Sequence, residues 1–168
     1  MLHFLISISL IAASIHFGKW NKWREFLPTI FYFSFFNMYY QYISLSFKKL
    51  WEIQKPFVSL FLTDSVYIFI AFPCLVVLFL SNIPNDTSKT KLLIYYVKWI
   101  VISFIIEWIL VKLGYFQYFN GWSTFWSGFF YSLMYPLLHL HHRKPLLALG
   151  ISIIVVAFYL FMFNYNVF

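Results

Sequence analysis

Six long apolar runs separated by short polar connections leave this chain few ways to fold. They are Leu2 to Phe17, Phe26 to Ser46, Phe57 to Leu80, Leu92 to Leu113, Gly121 to Leu138 and Pro145 to Phe163. A helix needs about 20 apolar residues to cross the hydrocarbon of a bilayer, and these runs come close to that length. In lipid the backbone must satisfy its own hydrogen bonds, so only helices and closed barrels can span. Barrel strands would read as segments of about ten residues with alternating polarity. The runs here are apolar on every face. They predict an all-α, polytopic helical bundle of about six spans. The connections are too short for a second domain, so residues 1–168 read as a single transmembrane domain.

Composition agrees. Hydrophobic residues make up 62% of the chain and charged residues only 10%, where soluble domains carry about 25% charged residues. A soluble fold of this size could not hide so much apolar surface. The 13 Tyr and 7 Trp suit the membrane interface, where the ring is buried and the polar tip stays wet. The net charge of +7 does not point to nucleic acid. The basic residues form no stripe; they stand in short groups such as Lys19/Lys22/Arg24, Lys48/Lys49 and Arg143/Lys144. The lone Cys74 lies inside an apolar run, so no intrachain disulfide forms.

Two runs need separate argument. The first is short, but no Lys or Arg precedes Lys19 and Ile15-His16-Phe17 is a poor cleavage site. It therefore reads as a retained helix rather than a signal peptide. The fifth carries Trp122, Ser123, Thr124, Trp126, Ser127, Gly128 and Pro136, which raises a re-entrant alternative. Its second half, Phe129 to Leu138, is mostly apolar and favours a full span. Loops one, three and five hold seven Lys and Arg, against four in loops two and four. The positive-inside rule then puts the odd loops in the cytoplasm and both termini outside. Asn85-Asp86-Thr87 matches a glycosylation sequon, but this topology places it on the cytoplasmic side.

Of the five acids, Asp64 and Glu107 lie inside spans. A carboxylate in the bilayer is costly, so it is usually functional or paired. Asp64 is eight residues past Pro56, or about 12 Å in; Glu107 is six residues before Leu113, or about 9 Å in. Both belong to the outer half of consecutive antiparallel spans, so they are expected to share one polar site. Such a pair would hold one proton or bind a cation. The alternative is that each acid is hydrogen-bonded to a neighbouring helix and locks the bundle. Thr63, Ser65 and Tyr67 offer hydroxyls around Asp64, and Pro73 is expected to kink the span and free a carbonyl.

Other polar residues read first as packing. Asn37, among Tyr39, Tyr40, Gln41 and Tyr42, can bridge helices for roughly 0.6 to 2 kcal/mol. Ser123 with Ser127 and Thr124 with Gly128, each four apart, form a small-residue face for close helix approach. His139 and His142 share a helix face, and His16 belongs to the same cytoplasmic surface. Three imidazoles can bind zinc, but no spaced Cys or carboxylate joins them in this loop, so interfacial polarity is the favoured reading and no cofactor is expected. No phosphate-binding glycine loop and no Gly-x-Ser-x-Gly occur. The catalytic inventory is thin.

Trp20 with Trp23, Leu62-Thr63-Asp64, Phe72-Pro73, Glu107, Tyr118 with Gly121-Trp122, and the His-rich loop before Pro145 form a layout. It resembles a group of small, uncharacterised multi-pass membrane proteins from spore-forming Gram-positive bacteria. The resemblance implies a bacterial plasma membrane and a polytopic helical fold; it implies no activity. Three function classes follow from the residues. The first is a non-enzymatic component that packs in the lipid bilayer against a second copy or another membrane protein. The second is a small transporter, or an ion or proton pathway, built on Asp64 and Glu107. The third is a membrane-embedded enzyme acting on lipid. Short loops favour the first two. Separate helix contacts for the two acids would favour the first, and a common polar cavity the second.

Overall fold

A computed structural model describes residues 2–56, 58–84 and 88–165. The sequon at Asn85-Asp86-Thr87 lies outside the described residues. The helices are α1 (Leu2–Phe17), α2 (Trp23–Ser46), α3 (Leu60–Ser81), α4 (Lys89–Lys112), α5 (Thr124–Arg143) and α6 (Pro145–Met162). Two short strands, β1 (Trp51–Ile53) and β2 (Phe116–Tyr118), pair antiparallel with Trp51 opposite Tyr118 and Ile53 opposite Phe116. The mostly helical expectation holds; the ribbon was not foreseen. It joins the two loops at one end, where Tyr40, Trp51 and Phe116 stack at ring separations of 4.3 and 5.2 Å.

The connections gather at two ends. At the first, the Lys19 amide donates to Ser81 Oγ at 2.8 Å and Asn82 Nδ2 donates to the Phe17 carbonyl at 3.1 Å. At the second, Lys55 Nζ donates to the Leu113 carbonyl at 3.0 Å. There too, Asn120 Nδ2 donates to the Lys49 carbonyl and Tyr165 Oη to the Lys48 carbonyl, at 2.7 and 2.9 Å. From α2 to α6, successive helices therefore run between the same two ends in alternating directions.

Length and apolarity set a stricter count than the six runs did. Among the described residues three helices are long and apolar enough to cross a membrane: α3, α4 and α6. At 16 residues α1 is short, and it meets the same standard only together with α2, from which it is bent by 87°. Tyrosines, histidines and serines lower the hydropathy of α5, although it is one continuous helix of 20 residues. The bend falls at Gly18. A Cβ there would sit 2.3 Å from the Ser14 carbonyl oxygen and 3.1 Å from Val77, so only glycine lets the turn close against α3.

The buried core lies among α2, α3 and α5. It is built from Phe26 and Phe33, Val76, Val77, Phe79 and Leu80, and Met134, Tyr135 and Leu138. α1 packs on α3, and α4 and α6 both pack on α5. Their outer faces stay bare: Val97, Val101, Ile105 and Ile109 of α4 are exposed, as are Ile153, Ile154 and Phe161 of α6. Water would penalise such continuous apolar faces, whereas lipid solvates them.

Gly128 of α5 meets the ring of Phe104 on α4; a Cβ there would stand 3.4 Å from the ring. Alanine fits at ordinary contact distance, and anything longer enters the ring. Gly128→Leu should cost about 1 to 3 kcal/mol. It should visibly lower the melting temperature in detergent, while Gly128→Ala should not. Equal stability of the two variants would show that this face does not support close packing.

Candidate functional site

Glu107 is the most completely enclosed acid, 9% exposed on the face of α4 that meets α5. Tyr118 of β2 donates its hydroxyl to Glu107 Oε1 at 2.5 Å, and Tyr131 of α5 donates to Glu107 Oε2. Burial and the hydrogen bond to Glu107 push the Tyr118 hydroxyl up to about 12, so it stays a donor at neutral pH. Two charge-assisted bonds of this kind are the strong class of hydrogen bond. They tie α4, the ribbon and α5 at one point.

That point belongs to a longer seam. Ser103 Oγ of α4 and Tyr135 Oη of α5 are 2.5 Å apart, as are Tyr96 Oη of α4 and His139 Nδ1 of α5. Trp122 Nε1 donates to Ser127 Oγ at 2.9 Å. Ser127, Tyr131, Tyr135 and His139 are each four apart, so α5 presents one polar stripe to this seam. Sequence reasoning passed over the stripe because tyrosines were assigned to the membrane interface. The four-residue spacing was the signal that would have found it.

Asp64 stands elsewhere. Ser59 caps α3 by accepting the Leu62 amide at 3.2 Å, so the helix begins at Leu60 and not near Pro56. Asp64 is then only about one turn, roughly 6 Å, into the helix. The acid that bears on it electrostatically is Glu52 of β1, itself bonded by Lys49 Nζ at 2.5 Å and Gln54 Nε2 at 3.0 Å. No hydrogen bond joins Asp64 to Glu107 among the described residues.

The hydroxyls beside Asp64 do not form its pocket either. Thr63 Oγ1 donates to the Ser59 carbonyl at 2.8 Å and Ser65 Oγ to the Phe61 carbonyl at 2.7 Å, both back along α3. Asn37 Nδ2 likewise donates to Phe33 of its own helix, at 2.8 Å, rather than across to a neighbour. The kink expected at Pro73 takes the form of a π turn over Tyr67–Ala71. In that register the Phe72 amide bonds the Tyr67 carbonyl, and the next donor, Pro73, has no N–H. The Ile68 carbonyl it leaves open accepts from Ser34 Oγ of α2 at 3.0 Å. The freed carbonyl thus joins two helices instead of lining a site.

His3 was also missed. It is 1% exposed, with Nε2 2.9 Å from the Gln54 carbonyl and Nδ1 3.0 Å from Tyr67 Oη. A carbonyl only accepts, so Nε2 carries the proton and Nδ1 accepts from the tyrosine. This pair fastens the start of α1 to α3 and to the loop after β1.

The zinc triad does not assemble. His16 lies exposed against Phe17, His139 bonds Tyr96 and His142 packs on Phe26. Among the described residues no three His, Cys, Asp or Glu side chains are grouped to hold a metal. His141 Nδ1 instead meets Thr29 Oγ1 at 3.1 Å, and its ring stacks on Tyr32 at 4.1 Å.

Comparison with known protein families, with curated proteins and with solved structures finds no match.

His139, His141 and His142 lie past residue 138, beyond the fifth apolar run. Burial holds each imidazole below the ordinary 6.5; Arg143 and His142 add to the effect at His139, and His142 does so at His141. At His142 the Glu25 carboxylate pulls the other way. The unfolded chain therefore takes up protons near pH 6.5 that the folded chain refuses. Stability is full above that pH and falls as the pH drops. The melting temperature in detergent should decline steadily from about pH 7 to about pH 5, and His141→Gln should flatten part of that slope. A rise in stability on acidification would reverse the assignment.

Proposed function

We propose that the chain is a non-enzymatic, multi-pass component of a bacterial plasma membrane, acting by packing and binding within the bilayer. The observation that carries this reading is that Glu107 is engaged by other elements of the fold. Glu107 accepts from Tyr118 and Tyr131, while the acid that bears on Asp64 is Glu52. A proton or cation pathway is expected to join the two acids directly, and no hydrogen bond does so among the described residues. Here Glu107 makes its bonds between elements of the fold, in the manner of a polar lock between helices.

In this reading all six helices cross the bilayer. α4 and α6, which bury few of their own residues, contribute most of the lipid contact, and α1 and α2 add exposed apolar side chains such as Phe4, Leu5, Phe31 and Phe35. The loops rich in Lys and Arg then face the cytoplasm and both termini face outside. A bilayer supplies the solvent for the bare outer faces of α4 and α6, and a second copy or another membrane protein is the partner class those faces suit.

Infrared difference spectra of the carboxyl region test this reading. Asp64→Asn should leave the Glu107 band unmoved, and Tyr131→Phe should shift it. A Glu107 band that moves with Asp64→Asn would restore the shared site and, with it, the transport reading. Orientation is read separately. Cysteines placed at positions 21 and 143 should be labelled only from the cytoplasmic side, and one at 55 only from outside. The reverse pattern would invert the topology.

A further inference from the structure

An elongated cavity of about 200 Å³ lies between α2, α5 and α6, partly open and walled almost wholly by apolar and aromatic side chains. On α6 its wall runs from Ser152 to Leu160, a length of about 12 Å parallel to the helix. The deep end is formed by residues such as Leu138, and the other end, beside the ribbon, by Tyr40, Trp51 and Tyr165. Apolar cavities of this size stay dry and accept apolar guests.

Among the described residues, the fully buried polar side-chain atoms in the wall are paired, with one exception. Tyr32 and Ser152 bond each other at 2.6 Å. Tyr40 Oη accepts the Leu50 and Trp51 amides at 3.1 and 2.9 Å and donates to the Trp51 carbonyl. Trp122 Nε1 is held by Ser127. The Tyr159 hydroxyl is buried and, among the described residues, meets no hydrogen-bond partner. Leaving such a group unpaired costs about 1 to 3 kcal/mol, so its retention calls for a partner. Tyr159 lies three residues before the end of α6, on the ribbon side. No acid lines the cavity, and the Lys48 ammonium lies 5.2 Å from the Tyr165 ring at its rim, which disfavours a cationic guest.

We propose that this cavity holds one acyl chain of a bilayer lipid, with the lipid's ester carbonyl accepting the Tyr159 hydroxyl. A narrow, dry, neutral slot running along the helices matches a single hydrocarbon chain. A lone donor near its ribbon end matches the place where a chain meets its ester. The inference rests on the membrane-embedded reading above.

The full chain is reconstituted in phosphatidylcholine vesicles containing a phosphatidylcholine whose acyl chain carries a diazirine, then irradiated, and the adducts are mapped by mass spectrometry. Adducts at the cavity residues Met134, Leu137 and Val156 should exceed those at the outward-facing Val101 and Ile105 by about tenfold, the equivalent of 1.4 kcal/mol. Val156→Trp fills the slot and should remove that excess while leaving Val101 and Ile105 labelled. Tyr159→Phe keeps the ring and the fold, and should lower the cavity adducts about fivefold through loss of one hydrogen bond. An even distribution of adducts, or a cavity yield untouched by Tyr159→Phe, overturns the proposal even if Val156→Trp fails to fold. Flotation of the protein with the vesicles separates the two levels. A chain that floats but labels evenly defeats this inference alone, and a chain that does not float defeats the membrane reading itself.

Discussion

The bond pair at Glu107 is the constraint on which the arrangement of the outer helices depends. α4 buries few of its own residues, with Glu107 and Leu110 the ones fully enclosed. In the proposed bilayer setting lipid is as apolar as the side chains of α4, so the hydrophobic effect would not hold this helix against α5. What remains is close packing, as at Gly128 against Phe104, and hydrogen bonding along the seam. Among those bonds Glu107 is distinctive because it accepts from two elements at once. Removing it would strand two buried phenols, and stranding buried partners costs more than losing one average hydrogen bond.

The same economy governs the rest of the polar inventory. Most hydroxyls and amides within the helices are spent on backbone carbonyls: Thr63, Ser65, Asn37 and Ser7 each bond a residue four positions back. Where the ladder is interrupted, a side chain from another element completes it. Ser34 does so at the π turn before Pro73, and Lys55 does so at the end of α4. Polar groups here are therefore mostly evidence of repair and fastening, and their presence in a span is weak evidence of a transport path.

How much of this was legible in the sequence depended on the range of the interaction. The helix runs and their alternation between two ends follow from local apolarity and loop charge, which a linear reading captures. The start of α3 did not follow, because Ser59 as an N-cap moved the boundary past Phe57 and brought Asp64 nearer the helix end. Matching depths for Asp64 and Glu107 rested on that boundary. Facing was not legible at all: whether Glu107 turns toward α3 or α5 is decided by Tyr118 and Tyr131, which lie 11 and 24 residues away. The pairing of β1 with β2 was hidden for the same reason, since three-residue strands carry almost no periodic signal.

The polar seam and the apolar cavity lie on different faces of α5, and their contrast explains why one helix can serve both. Ser127, Tyr131, Tyr135 and His139 turn toward α4, whereas Phe130, Leu133, Met134 and Leu137 turn toward α2 and α6. Bonds along the first stripe fix the rotation of the helix about its axis. A fixed rotation keeps the second stripe aimed at the cavity, so the slot stays open rather than collapsing as neighbouring side chains repack. α6 closes the cavity from outside with mainly apolar contacts, the Tyr32–Ser152 bond near its first half and, just past its end, the bonds of Lys48 with Asn164 and Tyr165. Its first half is consequently the part of the wall freest to move. A guest entering from lipid would displace the first half of α6 rather than α4, since parting α4 from α5 breaks three hydrogen-bonded steps, whereas the Lys48 bonds to Asn164 and Tyr165 hold only the far end of α6.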